Sequence, residues 1–169
     1  MNFVVIGTDH RLQNSECGLE GLLRALMGQQ FLEPLDAVAE EYGEKIGESV
    51  GQRLALEKGV RWYNVDMTTE EKCKTGILLE EQRSRPTQGT IAFRIASDDV
   101  RENVWVEKLT QPGSGTKLVI CGYLHLESLV GKLREKGHRV DKRVYLETVP
   151  EIKPWCAGEI PGSYEDPPD

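Results

Sequence analysis

Apolar positions along this chain alternate between two periods. Residues 2–6 form a strand whose continuous apolar run, 3–6, ends at Gly7, the pattern of a strand covered on both faces. Residues 15–31 carry Leu19, Leu22, Leu23, Leu26 and Met27 at i, i+3, i+4, i+7 and i+8, which predicts a helix with Asn14 or Ser15 as its cap and Pro34 closing the connection. Asp36 to Glu41 reads as a short second strand, although propensity also allows helix there. Residues 43–57 predict a second helix with Ile46, Val50 and Leu54 on one face, where Gly47 and Gly51 each cost about 1 kcal/mol relative to alanine. Residues 60–65 form a third strand ending at Asp66, and a third helix starts at Thr68 or Thr69 and runs to about Arg83, with Pro86 beyond it. Residues 97–110 predict a helix capped by Ser97, with a start as early as Gln88. Residues 117–121 are a fourth strand. Leu126, Leu129, Val130 and Leu133 mark a last helix closed by Gly137, and residues 140–149 form a fifth strand polar enough for a sheet edge. The last twenty residues hold five of the eight prolines.

Strands alternating with helices imply right-handed crossovers and an α/β fold, a mainly parallel five-stranded sheet with helices on both faces. The simplest doubly wound strand order is 3-2-1-4-5, which sets strands 1 and 4 side by side at the topological switch point. This reading gives one domain over residues 1–149 and a proline-rich tail over 150–169.

Composition narrows the partners. A formal net charge of −7, with no basic cluster interleaved with aromatics, argues against nucleic acid. No apolar run is long enough to span a membrane and no basic leader precedes the first strand, so the expectation is a cytoplasmic chain without a membrane segment. The four cysteines are scattered and form no Cys-x-x-Cys, which removes a zinc ribbon or redox motif.

Two of the three histidines then stand out. Strand 1 runs into Gly7-Thr8-Asp9-His10 and strand 4 into Gly122-Tyr123-Leu124-His125. Each Gly-x-x-His lies at a strand's carboxyl end, where open α/β sheets hold their ligands, and imidazole serves as metal ligand or general base near neutral pH. His138, in a turn between charged residues, reads as a surface residue. Glu40 and Glu41 end strand 2, beside strand 1 in the proposed order, and either carboxylate suits a metal ligand or a base on water. Asp66 ends strand 3 in the same layer and suits a partner that orients a ligand. Arg101, early in its helix, suits an oxyanion or a substrate carboxylate. There is no Gly-x-Ser-x-Gly elbow, no dinucleotide glycine pattern and no phosphate loop.

The order of these motifs resembles the TraB/PrgY and Tiki proteins, within the superfamily that includes ChaN-like proteins and erythromycin esterases. Asp36-Ala-Val-Ala-Glu-Glu41-Tyr resembles the family's second strand, whose glutamate falls on Glu41. Val65-Asp66 resembles the aspartate after its third strand, and Asp99-Val-Arg101-Glu-Asn103 its arginine-bearing helix. Val119-Ile-Cys-Gly122-Tyr-Leu-His125 is the closest stretch. The resemblance implies a hydrolase of a peptide, amide or ester bond in a small-molecule or peptide substrate. His10, His125 and Glu41 would hold a divalent metal (manganese, cobalt or zinc), Glu41 would be ligand or base, Arg101 would steady developing charge, and Asp66 would orient a histidine. The alternatives are a metal-free His/Glu hydrolase, as in the esterases, and a non-catalytic metal- or haem-binding module. The middle of the chain is shorter than in these relatives, which implies that parts of their substrate cleft are missing here.

Overall fold

Strand β1 (Asn2–Thr8) alternates perfectly between two cores: Phe3 and Val5 pack on one side of the sheet, Val4 and Ile6 on the other. This is the period-2 consequence of a pleated strand with helices above and below. The computed structural model describes residues 1–14, 18–28, 34–42, 48–84, 93–113 and 115–146. Within them, β1 is followed by a 3-10 turn (His10–Asn14), helix α1 (Gly18–Met27), strand β2 (Leu35–Glu40), helix α2 (Val50–Lys58), strand β3 (Arg61–Asn64) and helices α3 (Thr69–Lys74), α4 (Ile77–Ser84) and α5 (Ala96–Leu109). Strand β4 (Thr116–Gly122), a short 3-10 turn (Tyr123–His125), helix α6 (Leu126–Glu135) and strand β5 (Arg139–Tyr145) complete them.

All pairings are parallel, and the strand order is β3-β2-β4-β1-β5. The expected α/β fold is therefore present, but the order 3-2-1-4-5 is corrected: β1 and β4 are exchanged. They remain neighbours, and β2 lies against β4 instead of β1. Both strands carry a four-residue apolar run, so hydropathy alone does not say which one is central.

Helices α1 and α2 cover one face with Leu19, Leu23, Leu26, Val50 and Leu54, above Val38, Leu118 and Ile120. Helices α5 and α6 cover the other with Trp105, Val106, Leu109, Leu129 and Leu133, above Ala39, Val119 and Cys121. The chain leaving β1 and β2 thus turns to one face, and the chain leaving β4 turns to the other. That divergence puts the topological switch point at the carboxyl end of β4.

Several local expectations shift. The helix expected over 68–83 is two helices, broken at Gly76, whose φ of 77° is open to glycine at little cost. Thr68 caps the first in a reciprocal box with Glu71. Ser97 is not the cap of α5; the carboxylate of Asp98 accepts the Ile95 N–H instead, at 2.9 Å. Gly137 does close α6, with φ 80°, and among the described residues β5 is an edge strand paired only with β1. Residues 43–47, the proposed start near Gln88, and the tail 150–169 lie outside the described residues. No helix among the described residues is long and apolar enough to cross a membrane.

Candidate functional site

The site is built around Gly122, at the end of the central strand. Its N–H donates to Glu41 Oε2 at 2.8 Å. Its missing side chain leaves room for His10: a Cβ here would lie 2.6 Å from His10 Nε2 and 3.2 Å from Glu41 Oε2. The glycine of the first motif has a different job. A Cβ on Gly7 would strike Leu126 Cδ2 of α6 at 2.8 Å, inside the core. The register explains this difference. Thr8, not Gly7, pairs with Gly122, so the two glycines are offset by one residue and face opposite sides of the sheet.

Glu41 is the centre of charge. The main chain of Glu41 continues the β2 ladder, donating to the Ile120 carbonyl at 2.8 Å. Its buried carboxylate meets Arg101 Nη2 at 2.7 Å, and His125 Nε2 lies 3.5 Å from the same oxygen, Oε1. His10 Nε2 lies 3.6 Å from the other, Oε2. Burial works against ionisation here, but His10 and His125 in their protonated forms, together with Arg101, outweigh it and hold this carboxyl down at about 2. The choice left open between two glutamates is decided by the pleat. Glu41 faces the histidines, whereas Glu40 turns to the α2 side and accepts from Ser49 Oγ, Trp62 Nε1 and Gln13 Nε2. Burial pushes Glu40 up to about 7 against those three donors.

Arg101 and Asp66 meet each other and not the groups foreseen for them. Arg101 Nε and Nη2 donate to the two oxygens of Asp66 at 2.9 and 2.8 Å, and Nη1 faces Asp98 at 3.3 Å and Glu81 at 3.4 Å. With Glu41 on Nη2 as well, the buried guanidinium has carboxylates on every nitrogen, so its role is to hold Glu41 and Asp66 in place. Asp66 also accepts from Trp105 Nε1 and pairs with Lys72. Its own burial raises its proton affinity, but Arg101 and Lys72 bring it down to about 2. It orients no histidine.

The residues that do orient the histidines were missed. Glu102 meets His125 Nδ1 at 2.8 Å and also accepts from Arg94 and Ser128. Burial raises its pKa, and those donors lower it to about 2. Being ionised, Glu102 only accepts, so Nδ1 of His125 carries a proton. Gln13 holds His10 Nδ1 at 2.8 Å. A signal for Glu102 exists in the sequence. Asp98, Arg101, Glu102, Trp105, Val106 and Leu109 follow the i, i+3, i+4, i+7, i+8, i+11 rule, and all six are buried. Charges aligned with an apolar stripe indicate a helix whose first turns pack against other charges. Gln13 has no such signal.

The arrangement differs sharply in access. His125 is 3% exposed and Glu41 6%, but the His10 side chain is 51% exposed, so solvent meets the cluster at His10. A divalent metal on His10, His125 and Glu41 does not fit well. No group of three or more His, Cys, Asp or Glu side chains among the described residues is placed to hold one. Both Glu41 oxygens already accept from Gly122 and Arg101, and the guanidinium puts a fixed positive charge beside the position an ion would take. No protein-family model, no curated protein and no solved structure matches this chain.

Proposed function

We propose that this chain is a metal-independent hydrolase of an ester or amide bond, in which imidazole activates water beside a fixed carboxylate. One observation carries the reading: two histidines from different strand ends present Nε2 to the two oxygens of Glu41, each with Nδ1 anchored from behind. His10, open to solvent, is the general base. It takes a proton from water as the water attacks the carbonyl carbon, and the ionised Glu41 stabilises the imidazolium that forms. The His10 imidazolium then returns that proton to the leaving group, and His125, held by Glu102, keeps Glu41 in place. The order of motifs resembling erythromycin esterases supports the same reading, and the resemblance to TraB/PrgY and Tiki proteins supports hydrolysis without the metal-free part.

The test is a panel of activated esters and peptides, assayed with wild type, His10→Ala and His125→Ala, before and after exhaustive chelation. Hydrolysis that survives chelation and drops at least 100-fold in His10→Ala is the expected result. Activity lost on chelation and restored by manganese or zinc would move the reading to the metal-dependent version. That version draws support from the same anchored Nδ1 atoms, an arrangement common to metal-binding imidazoles.

A further inference from the structure

We propose that Gln13 is a positioning residue that locks His10 in the Nδ1–H tautomer, so that Nε2 faces the site as a base; its catalytic consequence rests on the hydrolytic reading above. Gln13 lies three residues after His10 in the 3-10 turn, where side chains at i and i+3 stack above one another. It is 1% exposed. Its amide nitrogen donates to the main-chain carbonyl of Glu41 and to Glu40 Oε1, each at 3.1 Å.

A carbonyl oxygen can only accept, so the NH2 end of Gln13 must face Glu41 and cannot be flipped. The oxygen end is then committed to His10 Nδ1 at 2.8 Å. That oxygen too can only accept. Nδ1 must carry the proton, and a neutral ring has just one, so the lone pair sits on Nε2. This is the nitrogen that faces Gly122 and Glu41 Oε2. The backing runs deeper, since Glu40 is itself held by Ser49 and Trp62. A half-exposed imidazole thus takes its tautomer from a buried amide.

The test is nitrogen NMR on histidine-labelled protein at a pH where His10 is neutral, with its signals assigned by loss in His10→Ala. Wild type should show a protonated Nδ1 and an unprotonated Nε2. In Gln13→Met and in the shorter amide Gln13→Asn, the Nε2–H form should become substantial, with kcat lower by about tenfold or more and KM changed less than twofold. A residue that merely stabilised the fold would change the melting temperature and leave the tautomer alone. Wild-type His10 mainly in the Nε2–H form overturns the proposal outright, whether or not the variants fold. Variants that keep the Nδ1–H form overturn it too. A locked tautomer in a protein that hydrolyses nothing upholds the role of Gln13 and removes the hydrolytic reading.

Discussion

Replacing Gly122 by alanine places one methyl group where His10 Nε2 now lies, 2.6 Å from the new Cβ, with Cε1 at 3.1 Å. The backbone itself tolerates the change, since φ −58° and ψ 138° are ordinary for alanine. The Gly122 N–H still holds Glu41. Relief must come from the imidazole, which has to retreat by about 1 Å to reach ordinary contact. Its side chain is 51% exposed and can swing outward, so the cost in stability is about 1 kcal/mol, the price of a displaced rotamer and the Gln13 bond. A misplacement of about 1 Å at a reacting group costs roughly 100-fold in rate. The expected result is therefore a large loss of hydrolysis with a melting temperature within a few degrees of wild type. Gly7→Ala is the matched control. Its Cβ strikes Leu126 at 2.8 Å in the packed core, so overpacking should destabilise it by about 1–3 kcal/mol. Its folded fraction should keep the His10 NMR signals of wild type. Gly122→Ala with full activity and an unmoved His10 signal would refute the assignment of this glycine to the site.

Three further outcomes follow from the charges. Arg101→Met leaves Glu41 and Asp66 buried without their shared cation, and should cost about 3–5 kcal/mol in denaturant unfolding; a loss under 1 kcal/mol would mean that these carboxylates are better solvated than the geometry indicates. Glu41, Asp66 and Glu102 all have folded pKa values near 2, below their ordinary 4.5, 3.8 and 4.5, so each contributes stability that is full above about pH 5 and lost as pH falls toward 2. Urea melts from pH 7 to 2.5 should show a loss of several kcal/mol, and a flat profile would contradict the network. Glu40 runs the other way. Its pKa is raised to about 7, so the protein should lose up to about 3 kcal/mol as pH rises from 4.5 through 7, and Glu40→Gln should flatten that limb when melts at pH 5 and 8 are compared.

Much of the fold was legible because its signals are local. The apolar runs at residues 3–6 and 118–121, the leucine stripes of α1 and α6, and the glycine after α6 each follow from the period of one element. The candidate site was legible in part for the same reason. His10, Glu41, Asp66 and His125 all lie just beyond strands, and a parallel sheet gathers strand ends at one edge. Arg101 could be placed near them, but its partners could not be named, and neither could Glu102 or Gln13. Their roles depend on contacts 23 to 60 residues away or on the turn of a short 3-10 segment.

The sequence by itself determined the elements, the parallel sheet with helices on both faces, and the set of polar side chains at its carboxyl edge, because period and chain direction are properties of each segment. Only the tertiary structure decided that β4 is the central strand, that Glu41 and not Glu40 meets the histidines, and that two identical Gly-x-x-His strings do different work. Those outcomes depend on strand order and on a one-residue register offset between β1 and β4. In a pleated sheet one residue exchanges one face for the other. That offset sends one glycine against the core at Leu126 and the other against the imidazole of His10.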